Sequence, residues 1–301
     1  MARMTKNAGI LAACFFVFTA AASTQCPPTD DASAPMVRIP EGKFILGMSE
    51  QGVNHFIVTL QRVFGDSTIS ISVFDDAIYG KPVRLAEYCI DPYLVTVAQY
   101  AAFLNTAGGE KYYHPEMADA TKCGIRKSAA RYEVVPGREN YPVVFINWYD
   151  ASAYAIWAGK RLPTEAQWEK AARGTVGTRF PWGDMLVDEN ANHGRFGVQG
   201  DLPDSSDGHA FTSPVTAFAK GRTAAGLFQM SGNVWEWTAD WHVPDAYREI
   251  TGSNPTGPAQ GTYKVIRGGS FRSWGPMLSS VYRGKLDPTA IADDVGFRCV
   301  K

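Results

Sequence analysis

The stretch GKRLPTEAQWEKAARG, Gly159–Gly174, decides how the chain is read. Its first glycine closes the amphipathic segment INWYDASAYAIWA, in which Trp148, Ala151, Tyr154, Ala155 and Ala158 fall on one stripe at helical spacing. After the break at Lys160–Pro163, Thr164 stands as an N-cap with Gln167 at the third helical position, the pattern of a capping box. Trp168, Ala171 and Ala172 then face inward and Gly174 stops the helix. Two short helices joined by a tight, basic break are predicted. Arg161 and Glu165 flank that break and read as a structural ion pair or cap. Trp148, Trp157, Trp168, Trp235 and Trp237 read as core residues, because each offers a large apolar area for burial.

Outward from this segment the pattern is mixed. Residues 36–48, MVRIPEGKFILGM, alternate apolar and polar around a Pro-Glu-Gly turn and predict a two-stranded hairpin. Residues 49–80 read as irregular, with a short helix in HFIVTLQRVFG and a strand in STISISVF. A strand pair is expected over 81–96. Thr96 then caps a helix whose inward residues are Val97, Tyr100, Ala101 and Leu104, stopped at Gly108–Gly109. From residue 175 onward short strands are expected around SPVTAF, VWEWTADW, YKVIRGGSF and VGFRCV, separated by long loops. With 29 Gly, 18 Pro and 8 Trp, the chain is loop-rich with an aromatic interior rather than a helical bundle. No internal repeat or linker divides it, so one α+β domain over 36–301 is expected. A formal net charge of −1 gives no reason to expect a nucleic-acid partner.

Residues 1–25 carry Arg3 and Lys6, an apolar run from Ala8 to Ala22 and small residues after it, the order of a secretory signal. Two endings are open: simple cleavage, or lipoprotein processing with Cys26 as the lipidated residue. The tether PPTDDASAP, within residues 26–35, suits a surface or periplasmic lipoprotein. Gln25 departs from the small residue a lipobox wants. Membrane association is expected only through such an anchor. Export implies an oxidising compartment, and Cys89–Cys299 and Cys123–Cys299 are both possible disulfides.

Several stretches together resemble the formylglycine-generating enzyme family, also called the sulfatase-modifying factor domain. They are MVRIPEGKFILGM, YPVVFINWYDASAYAIWAGKRLPTEAQWEKAARG, FPWGD, GLFQMSGNVWEWTADW, VIRGGSF and VGFRCV, in family order and across nearly all of the chain after the leader. The resemblance implies a variant of the C-type-lectin-like fold: a small twisted antiparallel sheet, two main helices and much irregular structure. Formylglycine generators hold copper with two cysteines shortly after the Gly-Gly-Ser corner and oxidise a client cysteine with dioxygen. Laid on this chain from Gly268-Gly269-Ser270, those positions are Ser273 and Leu278. Neither side chain replaces a thiolate for soft Cu(I), so copper is not expected. The family's structural disulfide at the position of Cys299 has its usual partners at Ala155 or Ala172 here, so another partner is required. Family calcium positions map onto Asn192 and Asp207, with the carbonyls of His193 and His209, and onto Asn233 and Glu236, with that of Val234. The plainer reading of the second set is a turn at Asn233 and a buried ion pair at Glu236.

The resemblance and the composition direct attention to VIRGGSFRSWGPMLSSVYRG, Val265–Gly284. Ser270, Phe271, Arg272, Ser273, Trp274, Met277, Tyr282 and Arg283 have the composition of a recognition surface; the alternative is a loop packed on its own core. Arg267 and Arg298 are expected to hold the corner by hydrogen bonds. The leading expectation is an exported, non-catalytic module binding a protein or peptide ligand at the cell envelope. The alternatives are an oxygen-dependent oxidase acting on a sulfur-containing substrate through a re-sited metal, and a diversified lectin-like receptor.

Overall fold

The computed structural model describes Cys26 and residues 35–107, 109–129, 131–195, 203–250 and 252–301. The expected leader and most of the tether lie outside the described residues.

The N-terminal strands β1 (Val37–Ile39) and β2 (Gly42–Leu46) both form, but not as a hairpin. Helix α1 (Glu50–Phe64) follows, and then β3 (Lys81–Leu85) and β4 (Tyr88–Ile90). β2 pairs antiparallel with β3, and β1 pairs antiparallel with β4, so each early strand closes on a later one. Ser49 caps α1 by accepting from Gly52 N, and Gly65 ends it in the left-handed conformation. Val53, Phe56, Ile57 and Leu60 supply its buried face at helical spacing. STISISVF is not a strand. Ile71–Ala77 winds as a 3-10 segment beside α1, and only Phe74 and Ala77 of it are buried. Its alternation finds no neighbouring strand to pair with, and α1 offers a surface to wrap instead.

Helices α2 (Val97–Thr106), α3 (Trp148–Trp157) and α4 (Glu165–Arg173) each open with a capping box, at Thr96/Gln99, Asn147/Asp150 and Thr164/Gln167. Between α2 and α3 lies the hairpin β5 (Ile125–Ser128) and β6 (Arg131–Val134). At the α3–α4 break Lys160 turns inward and donates to Asp91 at 2.8 Å, a buried ion pair. Then come β7 (Trp235–His242), α5 (Ala246–Glu249), β8 (Tyr263–Arg267), β9 (Gly284–Leu286) and β10 (Val295–Gly296). They give a sheet of order β10-β7-β8-β9, with β10 parallel to β7 and the other pairs antiparallel. SPVTAF forms no strand. Beyond β10, Val300 bridges both Ile90 and Arg161, which fastens the chain's end to β4 and to the helix break.

The apolar interior falls into three clusters. One joins α2, α3, β7 and the 295–299 segment; one joins the early strands to α4; the third joins α1 to Trp274, Leu278 and Val281. Cys123 and Cys299 are thiols enclosed in the first, so neither is the partner of Cys89. Cys89 bonds Cys26, with their Cα atoms 5.9 Å apart. This corrects the expected lipid attachment, since a thioether and a disulfide need the same sulfur. It also replaces both pairings expected from the sequence. The two cysteines are 63 residues apart and enclose β1 through β3. Closing that loop restricts the unfolded chain, so Cys26→Ser should lower the unfolding free energy by about 4 kcal/mol, read as a fall in the urea midpoint under oxidising conditions.

Candidate functional site

Helix α4 turns an acidic edge toward β8. Glu165 and Glu169, one turn apart, both meet Arg267, whose Nη1 lies 3.3 Å from Glu165 Oε1 and whose Nη2 donates to Glu169 Oε2 at 2.7 Å. Arg267 also donates to the carbonyls of Ser280, Val281 and Tyr282. Arg283 forks onto Glu165 through Nε and Nη2 at 2.8 and 3.0 Å. Tyr247 OH donates to Glu169 Oε2, and Arg173 pairs with Glu169 Oε1. Burial works to raise the Glu165 pKa, but Arg283 and Arg267 overcome it and hold the carboxyl below its usual range. The expected Arg161–Glu165 pair does not form: Arg161 donates to Gln167 Oε1 instead. On the other side of Trp168, Arg298 grips Glu236 through Nε and Nη2, and the indole N–H of Trp168 donates to the same carboxylate. Arg267 and Arg298 are both fully buried; Arg267 holds the loop after the corner by hydrogen bonds, whereas Arg298, expected to hold the corner too, bonds Glu236 and the carbonyls of Asp91, Pro92 and Phe228 instead.

The corner is built on this ionic base. Gly268 and Gly269 have φ of 93° and 77°, which L side chains rarely adopt, and a Cβ added there would crowd Trp168 and the Met277 carbonyl. Ser270 N donates to Ser273 Oγ at 3.0 Å, and Ser270 OH donates to Asp294 Oδ2 at 2.8 Å. Phe271 is sealed against Phe211, and Trp274 packs on Phe64 of α1. Leu278 is 1% exposed in the same apolar cluster as α1. Arg272 pairs with Asp293, which Lys122 also holds. Beside these residues opens a cleft of about 500 Å³, walled by Trp235, Ile266, Met277, Tyr282 and Arg283, with Asp76 and His242 at one side and Asp294 at the other. Of the residues expected to form a recognition surface, Met277 and Tyr282 border this cleft with part of their surface exposed, and Arg283 lines it with its side chain buried on Glu165. Ser270, Phe271, Ser273 and Trp274 are interior and are corrected to packing residues, because a sealed side chain has no surface to offer. Arg272 is half-buried and held by Asp293.

The family described as "Sulfatase-modifying factor enzyme 1-like domain" matches residues 22–301. The chain belongs to this family. It is 37% identical over 255 residues to the formylglycine-generating enzyme of Thermomonospora curvata, covering 73% of this chain and 83% of that one. It is also 37% identical over 299 residues to the formylglycine-generating enzyme of Streptomyces coelicolor, covering 87% and 88%. The structure of PvdO from Pseudomonas aeruginosa superposes with a TM-score of 0.62 at 23% identity, over 90% of this chain and 95% of that one, and shows the shared fold.

The two family calcium sets differ in what they offer here. Asn233 sits at φ 72°, and its amide is spent on Ser213, Gln229 and Asn192. Glu236 is neutralised by Arg298, so the turn and the buried ion pair are what the structure has, and this set is withdrawn. In the first set Asn192 Oδ1 is buried and has no hydrogen-bond partner among the described residues. Asp207 accepts from His193 N and His209 N. Residues 196–202, between them, lie outside the described residues. The histidines stand apart: His114 pairs with Asp150, His193 with Asp188 and His242 with Asp76. Among the described residues no three His, Cys, Asp or Glu side chains converge as metal ligands.

Sequence reasoning did not find Asp294, Asp76 or Asp240. The first two reach the cleft from segments far along the chain from Ser270, and no local spacing marks them. Asp240 is buried under the start of α4, where its Oδ2 accepts from Glu165 N at 2.7 Å. Burial, with the Glu165 carboxylate beside it, pushes its pKa up to about 7. The folded chain therefore keeps a proton there that the unfolded chain, at the ordinary 3.8, has lost. Its stabilising effect is full below the unfolded value and is lost as pH rises through about 7. In Asp240→Asn this fall between about pH 4 and 7 should disappear from urea midpoints measured across that range. Arg298→Met strands the Glu236 carboxylate in the interior and should cost about 3–5 kcal/mol in urea unfolding, with part recovered in Arg298→Met/Glu236→Gln.

Proposed function

We propose that this chain is an exported, non-catalytic member of its family that uses the cleft beside the Gly-Gly-Ser corner to hold a protein or peptide ligand at the cell envelope. One observation carries the reading. The positions that hold copper thiolates in formylglycine generators are Ser273, whose hydroxyl is tied to Ser270 N, and Leu278, which is buried under α1. The cleft keeps an aromatic and ionic lining suited to binding, in Trp235, Tyr282, Asp76 and Lys285. Export is supported by the leader and by the Cys26–Cys89 disulfide. Among the described residues no helix is long and apolar enough to cross a membrane. Calcium belongs to the proposal only at Asn192 and Asp207, where a buried amide oxygen with no partner among the described residues fits a hard cation.

The relatives named formylglycine-generating enzyme favour a second reading, an oxygen-dependent oxidase with a re-sited metal. Titration of the purified protein with Cu(I), and oxygen uptake with a Cys-x-Pro-x-Arg peptide, separate the two. The binding module should take up no stoichiometric copper and turn over no peptide. Ser273→Cys/Leu278→Cys should gain one Cu(I) per chain. Turnover by the unmodified protein would end the first reading.

A further inference from the structure

A second groove, of about 700 Å³, shares no lining residue with the cleft at the corner. Its volume lies within the range of about 300–1,000 Å³ usual for small-molecule sites. Tyr88, Trp148, Ile156, Leu162 and Pro255 give it an apolar wall. Ile156 is 74% exposed, which leaves a branched aliphatic side chain of α3 in water at the groove. Hydrophobic surface of this kind gains by being covered.

Arg161 lines the same groove. Its Nη1 donates to Leu162 O and Gln167 Oε1, while Nε and Nη2 have no hydrogen bond, and the guanidinium has no ion pair, among the described residues. Arg161 is exposed to solvent; partial desolvation at the groove lowers its pKa, and Asp240 and Tyr88 act to raise it. The acidic side chain in the lining, Glu87, is engaged by Arg38. An apolar wall with one uncompensated guanidinium fork complements an apolar body that ends in a planar anion.

The geometry points to a binding site for a small amphipathic carboxylate, with its apolar chain along Trp148, Ile156 and Leu162 and its carboxylate on the Arg161 fork. This site is independent of the cleft at the corner and of the function proposed for it. The test is calorimetric titration of the purified full chain with decanoate, decanol and decylamine. Decanoate should bind, decanol about tenfold or more weaker, and decylamine not at all, since a charge-assisted hydrogen bond contributes about 1.5–3 kcal/mol. Arg161→Gln should bring decanoate down to the level of decanol. Ile156→Ser, at an exposed position, should weaken decanoate and decanol alike, and it keeps the test available if Arg161→Gln does not fold. No binding of decanoate, equal binding of decylamine, or decanoate affinity unchanged in either variant would overturn the assignment.

Discussion

Two carboxylates on one helix edge, Glu165 and Glu169, face two arginines that arrive from β8 and from the loop after the Gly-Gly-Ser corner. All four side chains are removed from water, so each charge is tolerated only because another neutralises it. Breaking any one contact leaves a buried ion behind. The position of α4, the exit of β8 and the path of the loop from Ser280 to Arg283 are therefore fixed together. Arg267 adds three backbone carbonyls of that loop to its ion pairs, which turns a long irregular connection into a defined wall.

The second ionic anchor, Arg298 on Glu236, lies on the other side of Trp168. The indole N–H bonds Glu236 while the ring packs against Gly268, so one side chain couples the two charged systems through the corner. A side chain at Gly268 or Gly269 would meet the ring or the Met277 carbonyl, which is why the glycine pair and the tryptophan belong to one device. The shape of the corner thus rests mainly on these ionic and steric terms, to which Ser273 adds a local hydrogen bond from Ser270 N and Leu278 a contact beside Gly269. Neither contact needs a thiol: one residue is a hydroxyl in a local hydrogen bond and the other is part of an apolar core.

Helix α1 gives that core its cover. Phe64 lies on Trp274, and Phe56, Ile57 and Leu60 share a cluster with Leu278 and Val281. A leucine under a helix and a serine bonded to the backbone form a closed floor. The open space lies to one side, walled by Trp235 and Tyr282, where the sheet meets the segment Ile71–Ala77. Asp76 of that segment reaches His242 on β7, so the covering region also supplies one edge of the cleft.

The sequence by itself determined the helices and the corner. The N-cap at Thr96 and the capping box at Thr164 are local hydrogen bonds between near neighbours, and glycine at positive φ is a property of single residues, so both are legible in a string of letters. The family motifs named the fold for the same reason: they are contiguous. Partner choice was decided only by the tertiary structure. β1 and β2 alternate as a hairpin would, yet each pairs with a strand beyond α1, because strand pairing is set by long-range packing rather than by the turn between them. Cys89 met Cys26 rather than Cys299, because the thiol of Cys299 is enclosed in the core. Phe271, Trp274 and Arg283 have the composition of a binding face, and composition does not say which side of a loop meets water. α1 settled that by covering Trp274, Phe211 by packing on Phe271, and Glu165 by neutralising Arg283, and these contacts arise between residues too far apart in the chain for any sequence pattern to record.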